Sequence, residues 1–310
     1  VGVGVGVSGW DLSEAPEGLI LSLARELEQS WLALGGNLRD APCAPELKSV
    51  DATAPDGDPV KTRIRIENLC LQTDAFRKMH LEVAWGLGGI EVLHCVMYPW
   101  PNSPLPIFAA DLVAFGGRVT LCIADTSPTR LDLSLLPAYV AAADALRAQM
   151  LQRCPAIQPR SLPEWGEAIL SPQVCVCVGP PREDEAQEQA EAFCEYARGL
   201  HAAHLRLAAE AGGGVAGAAA AGAVAGAAAG GQGYSSVDFG GGGEAGPSGS
   251  GGSDGGPQER LAAQVRFCEK QLLNDKTRRV LEKSMGAELT ERYMTEVLFD
   301  VTPLTPLGPS

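Results

Sequence analysis

The stretch HLEVAWGLGGIEVLHCVMYPWPNSPLPIFAADLVAFGGRVTLCIA, residues 80–124, decides the fold. Short runs of Val, Ile, Leu and aromatic residues are broken by glycine pairs and prolines, the pattern of antiparallel strands joined by turns. It predicts strands at His80–Trp85, Ile90–Tyr98, Ile107–Phe115 and Arg118–Ala124. Gly116–Gly117 is a two-residue hairpin signal between the last two. If Phe115 pairs with Arg118 and the ladder runs evenly, Asp111 opposes Cys122 and Thr120 opposes Val113, so Asp111 and Thr120 share a face. Glu82 and His94 share a face only if the Gly86–Gly89 loop is odd in length.

Outward from this block the period changes. Lys61–Glu67 (KTRIRIE) alternates as a further strand, and residues 38–58, rich in Pro, Asp and Ala, read as a loop. An apolar stripe predicts a helix from Pro16 to Leu34, ended by Gly35–Gly36. Downstream, helices are predicted at Ser134–Met150, Glu183–Glu210, Pro257–Asn274, Thr277–Lys283 and Leu289–Phe299, with one strand at Val174–Val178. Strands in a block with helices around them imply one sheet covered on both faces.

Of the 310 residues, 45 % are hydrophobic and 20 % charged, which is globular usage, but the 37 glycines are unevenly spread. About half lie between Gly212 and Gly256, and four more open the chain in VGVGVGVSG. Residues 211–257, first Ala/Gly and then Gly/Ser, cannot bury enough apolar surface to offset their ordering entropy. The residues after them carry too few apolar positions for a core of their own, so 211–257 reads as a disordered insertion inside one domain. The expected organisation is a disordered segment at 1–15, a single domain at 16–301 interrupted by that insertion, and a tail at 302–310.

The formal net charge of −14 excludes a nucleic-acid binder and argues against docking on anionic membranes. No run of large apolar residues is long enough for a membrane span. The nine cysteines show no CxxC or zinc-type spacing, which points to a reducing compartment without a disulfide framework. Cys175 and Cys177, in VCVCV, read as small hydrophobes of a buried strand. His201 and His204 stand three apart on a helix with no third metal ligand in sight. No GxGxxG, Walker loop, GxSxG or HExxH occurs.

Three ionisable residues interrupt apolar strands within thirty positions: Glu82, His94 and Asp111. Burying one such group alone is expensive, so three on adjacent strands point to a functional cluster. Near the C-terminus, Lys276, Arg278, Arg279 and Lys283 gather positive charge in an acidic chain and suit an anionic ligand or acidic partner.

RKMHLE (Arg77–Glu82), LHCVMYP (Leu93–Pro99), LPIFAADLV (Leu105–Val113), IADTSPT (Ile123–Thr129), LPEWGE (Leu162–Glu167), NDKTRRVLEKSMG (Asn274–Gly286) and ERYMTEVLFD (Glu291–Asp300) together resemble the ferredoxin-dependent bilin reductases. The resemblance runs from about Leu19 to Asp300, apart from the insertion. It implies an α/β fold, a three-layer α/β/α sandwich with a central antiparallel sheet, holding biliverdin IXα between the sheet and the C-terminal helices. It implies no bound metal or flavin. Electrons would come singly from the 2Fe–2S cluster of reduced ferredoxin, through bilin radicals, while the protein supplies protons.

Carried over by position, Glu82 becomes the proton donor near the D-ring vinyl group. His94 and Asp111 bond the pyrrole nitrogens and lactam oxygens, and His80 lies behind His94 as a proton relay. Thr120, Arg160, Gln271 and Lys276 fall at the propionates, and Asn274 and Asp275 line the pocket from the helix side. The full set Glu82, His94 and Asp111 implies a four-electron reduction to phycocyanobilin, with phytochromobilin or phycoerythrobilin as the sister products and a non-catalytic bilin carrier as the rival of another class. Ferredoxin would dock near Lys276, Arg278, Arg279 and Lys283 on a monomer. The family together with the Ala/Gly tracts implies a soluble plastid stromal protein, with cyanobacterial cytoplasm as the alternative. The chain departs from the family pattern at Ala109, where a glycine is usual, and in the insertion.

Overall fold

The computed structural model describes residues 9–34, 38–55, 57–155, 157, 161–178, 183–211 and 256–300. The 212–255 part of the insertion, residues 1–8, Gly35–Gly36, the tail and Arg160 lie outside the described residues.

The block that opened the reading forms a meander: β3 (Ile64–Gln72), β4 (Phe76–Gly86), β5 (Ile90–Pro99), β6 (Ile107–Phe115) and β7 (Arg118–Ser127). The four predicted strands therefore stand: Ile107–Phe115 keeps its predicted bounds, and the other three are longer at one or both ends. β8 (Cys175–Val178) closes the far edge on β7. The segment read as a loop instead holds two short strands, β1 (Arg39–Asp40) and β2 (Ser49–Ala52), both pairing with β3. They were invisible to pattern because two- and four-residue strands carry no period. Lys61 and Thr62 also leave the predicted strand for a helical turn, Pro59–Thr62, whose Asp58 side chain accepts from the Val60 N–H. All strand pairs of this eight-stranded sheet are antiparallel.

Helices cover both faces. On one side α1 (Leu19–Leu32), α2 (Pro137–Arg153) and α3 (Glu183–Glu210) pack Trp31, Tyr139, Phe193 and Tyr196 onto Leu81, Leu93, Phe108 and Leu112. On the other, α4 (Pro257–Gln271), α5 (Asp275–Arg292) and a π-helical turn, Tyr293–Leu298, pack Phe267, Leu281, Met285 and Met294 onto Ile66, Val96, Tyr98 and Ile107. This is the expected three-layer sandwich. Burying each such side chain is worth about 1.5–3 kcal/mol, so both layers are bound to the sheet by many additive contacts.

Two local deviations matter for the site. The helix predicted to reach Asn274 stops at Gln271, because the Asn274 side chain turns back and caps α5 through the Lys276 N–H, 3.2 Å away. The two helices predicted after it stand as the two segments of α5, parted by a kink at Gly286, whose φ of +72° is not helical. The second deviation is a bulge. Phe115 does pair with Arg118, but the register shifts between Val113 and Ala114, so that Asp111 opposes Ile123, not Cys122, and Val113 opposes Leu121, not Thr120. Thr120 stands out of the ladder and its hydroxyl donates to the Val113 carbonyl at 3.1 Å. One inserted residue turns Cys122 to the α1–α3 side and Ile123 to the side of Asp111.

Candidate active site

The strand register lines up one polar row. Across the sheet, Asn68 opposes Glu82, Glu82 opposes His94, His94 opposes Asp111, Asp111 opposes Ile123 and Ile123 opposes Val176. The open question of the Gly86–Gly89 loop is answered by the pairing of Gly86 with Ile90: three residues intervene, so Glu82 and His94 share a face. Positive φ at Gly86, Leu87, Gly88 and Gly89 makes that tight turn, and the glycines allow it. Opposed side chains in such pairs stand about 4.5–5.5 Å apart at Cβ, close enough to act together. His80, two residues before Glu82, lies on the same face, with its ring 5.6 Å from that of His94.

The electrostatics separate the members of the row. His94 Nδ1 lies 2.5 Å from Asp111 Oδ1. Burial alone would discharge the imidazole, but the Asp111 carboxylate, through charge and hydrogen bond, raises it above its ordinary value. His94 Nε2 is buried and has no partner in the protein. Burial pushes the Glu82 carboxyl up against the opposing pull of His94 and of the Tyr293 hydroxyl. His80 is driven well below the usual histidine range by burial, then by Lys78 and His94, and is neutral. The row thus sets a carboxyl whose proton affinity is raised by burial beside an imidazole whose proton affinity is raised by Asp111.

The π-helical turn reaches the row through Tyr293, whose hydroxyl lies 2.7 Å from Glu82 Oε2 and 2.8 Å from Asn68 Oδ1. That turn is clamped to β4. A bulge between Phe76 and Lys78 puts two buried cations near one carboxylate: Arg77 is 3.1 Å and Lys78 3.6 Å from Asp300. Lys78 Nζ also donates to the Val297 carbonyl at 2.6 Å, and Arg77 stacks on Tyr98 at 4.4 Å.

Beyond Asp111 the face opens into a cavity of about 540 Å³. Ile123, Leu121 and Val176 form its floor, Trp165 and Leu170 one wall, and Asn274, Asp275 and Lys276 another. Asn274 and Asp275, expected on the helix side, and Lys276, expected at the propionates, are therefore brought to the cavity. Gln271 ends α4 just before them, half-buried. Thr120 is spent on the bulge, next to Leu121 of the floor. Ser161, the neighbour of the undescribed Arg160, also lines the cavity. Lys276, Arg279 and Lys283 are exposed, but Arg279 pairs with Asp275 at 3.3 Å and Arg278 with Glu291 at 2.5 Å. Part of the predicted basic patch is thus neutralised within the chain.

Sequence reasoning missed Asn68 and Tyr293. Asn68 was findable by the argument that picked Glu82, since it too interrupts an apolar strand (IENLCLQ). Tyr293 carried no signal, because a tyrosine in a helix is ordinary. His201 and His204 gather no ligands: among the described residues no group of three or more His, Cys, Asp or Glu could hold a metal ion. All nine cysteines are free thiols.

Comparisons with known proteins agree with this architecture. The ferredoxin-dependent bilin reductase family model matches residues 25–300. Phycocyanobilin:ferredoxin oxidoreductase of Synechococcus sp. is 32 % identical over 290 residues, 94 % of this chain and 96 % of the relative. The enzyme of that name from Trichodesmium erythraeum is 30 % identical over 282 residues, 91 % of this chain and 93 % of the relative. The crystal structure of phytochromobilin synthase from tomato, in complex with biliverdin, superimposes with a TM-score of 0.56 at 16 % identity, covering 93 % of this chain and 83 % of that one. With its sheet, its polar row and a family match running from α1 to Asp300, the chain belongs to the ferredoxin-dependent bilin reductases and is an oxidoreductase.

Proposed function

We propose that the protein carries out the ferredoxin-dependent, four-electron reduction of biliverdin IXα to phycocyanobilin, acting on CH–CH groups with an iron–sulfur protein as donor. The observation that carries this reading is the unbroken row Glu82–His94–Asp111 beside the cavity, with His94 Nε2 buried and unpartnered. A tetrapyrrole offers N–H donors to the Asp111 carboxylate and a lactam oxygen to the His94 imidazolium. A substrate protonated first accepts an electron more readily, and a buried carboxylic acid is a proton donor matched to neutral pH.

In this reading Glu82 protonates the D-ring vinyl carbon, the hydrogen-bonded His94–Asp111 pair supplies the proton of the tetrapyrrole core through His94, and neutral His80 stands behind His94 as relay. Thr120, Arg160, Gln271 and Lys276 serve the propionates, and Asn274 and Asp275 the helix side of the pocket. The chain needs no resident cofactor, since single electrons arrive from reduced 2Fe–2S ferredoxin. An acidic donor would dock on a monomer near Lys276, Arg278, Arg279 and Lys283, with the exposed Lys276 and Lys283 as its main attraction, since Arg278 and Arg279 are paired with Glu291 and Asp275. No described helix is long and apolar enough to cross a membrane. The Ala/Gly tracts favour a plastid stroma, and the cyanobacterial relatives favour the cytoplasmic alternative.

The test is anaerobic turnover of biliverdin with ferredoxin, its reductase and NADPH, followed by chromatography of the bilin. Phycocyanobilin is expected. A product that keeps its D-ring vinyl group indicates a sister reductase. A spectral shift on binding without ferredoxin-dependent bleaching indicates a carrier.

A further inference from the structure

Behind Glu82 the site continues into a chain of polar groups of which only His80 has a role in the proposed reaction. Tyr293 stands between Glu82 Oε2 and Asn68 Oδ1, at 2.7 and 2.8 Å. His80 Nε2 lies 2.8 Å from the same Asn68 oxygen. Asn68 Nδ2 donates to the Leu47 carbonyl at 2.9 Å, which fixes the amide so that its oxygen faces Tyr293 and His80. All four side chains are buried.

The number of available hydrogens decides the arrangement. Asn68 Oδ1 can only accept, so His80 Nε2 carries a hydrogen and donates it. Tyr293 has one hydroxyl hydrogen and two acceptors. Were Glu82 a carboxylate, it would take that hydrogen, and the Tyr293 and Asn68 oxygens would meet at 2.8 Å with nothing between them. With a proton on Glu82 Oε2 every contact holds one hydrogen: Glu82 donates to Tyr293, Tyr293 to Asn68, and His80 to Asn68.

We propose that Tyr293 is a positioning residue whose hydroxyl hydrogen is held on Asn68, away from Glu82, while the site is idle, and is turned onto the Glu82 carboxylate once the Glu82 proton is given up. The proposal rests on the reading of Glu82 as the D-ring proton donor. In that step one electron reaches the bilin from reduced ferredoxin, the Glu82 O–H bond breaks, and a bilin C–H bond forms. Tyr293 keeps its proton throughout and only exchanges one acceptor for another, while His80 continues to satisfy Asn68. The new carboxylate is therefore not left without a donor in a dry site, where an unpaired charge is costly.

The groups that face this pair are His94 and Asp111 from β5 and β6, Asn68 and Cys70 from β3, and His80 and Lys78 on β4 itself. The experiment leaves all of them intact except Asn68. Infrared spectra of the full substrate-free chain are recorded across pH, and the protonated-carboxyl stretch of Glu82 is assigned by its loss in Glu82→Gln. Tyr293→Phe removes the donor to the carboxylate. The band should then persist at least one pH unit higher, and D-ring reduction should slow about ten- to a hundredfold, the range for a lost hydrogen bond to a charge. Asn68→Leu removes the competing acceptor, leaves the Tyr293 hydroxyl on Glu82 permanently, and should move the band's midpoint down.

Opposite movements are a signature that mere structural damage does not give. Midpoints that move the same way, a midpoint unmoved in the near-isosteric Tyr293→Phe, or no Glu82 carboxyl band at neutral pH overturns the proposal. If Asn68→Leu does not fold, Tyr293→Phe alone decides. A wild-type chain with the band as stated but no ferredoxin-dependent turnover overturns the functional reading and not the proton arrangement.

Discussion

His201 and His204 lie one helical turn apart on α3 against one face of the sheet; His80 and His94 lie on adjacent strands on the other. His80, His201 and His204 are buried, and the His94 side chain is 12 % exposed. Trp31 donates to His201 Nε2 at 2.9 Å, and His204 stacks on Phe108 with Nδ1 3.1 Å from the Tyr139 hydroxyl. Desolvation among these aromatic rings pulls both histidines down to about 3. His94 suffers the same desolvation, yet its net shift is upward, because Asp111 stands 2.5 Å away. A nitrogen without a partner does not tell the pairs apart, since His204 Nε2 lacks one too. The neighbouring carboxylate does. Burial makes a histidine neutral and structural, and burial beside a carboxylate makes it a charged donor.

The contrast can be broken by experiment, most sharply at the row itself. Glu82→Gln removes the acid and is expected to stall reduction at the D-ring by about 10²–10⁴-fold while leaving A-ring chemistry possible. Normal phycocyanobilin at a normal rate would sink the role of Glu82. Asp111→Asn should make His94 behave like His201: burial then wins, the ring is neutral at pH 7, and turnover falls about 10- to 100-fold with partial recovery as the pH is lowered. A pH–rate profile that keeps its shape in Asp111→Asn contradicts that coupling.

On the other face the expected effect is on stability. His201 and His204 stay neutral in the folded chain down to about 3, while in the unfolded chain they take up protons below about 6.5. Their stability contribution is therefore intact above about pH 6.5 and is lost progressively as pH falls toward 3. The double variant His201→Leu/His204→Leu should flatten this decline in urea midpoints between pH 7.5 and 5 and leave turnover within about twofold. An unchanged slope would mean that other groups set the acid lability. The smallest effect is expected at Ala109. It lies in the mid-strand of β6 without positive φ and is buried among apolar neighbours, so Ala109→Gly should cost about 0.5–1 kcal/mol, read as a fall of a few degrees in Tm.

Much of the fold was legible because its signals are local. Glycine pairs set the hairpins, apolar runs the strands, and the stripe Leu23–Leu27–Trp31 the first helix. The site was half legible: a charged residue in an apolar strand is conspicuous on its own, which exposed Glu82, His94 and Asp111. Thr120 was misplaced by one bulged residue, and β1 and β2 were too short to leave a period. Tyr293 was silent because nothing in ERYM distinguishes a helix tyrosine that packs from one that meets a carboxyl.

The sequence by itself determined which side chains alternate to which side, where the chain turns, and that three ionisable groups sit where water is scarce. Those properties follow from two- and 3.6-residue periods and need only neighbours along the chain. The tertiary structure alone decided that Glu82, His94 and Asp111 form one row, that the bulge turns Ile123 to their side, and that Tyr293, more than 200 residues from Glu82, meets its carboxyl. Register, bulges and the docking of a distant helix depend on contacts between segments, and protonation depends on the field those contacts create; neither is written in the order of residues alone.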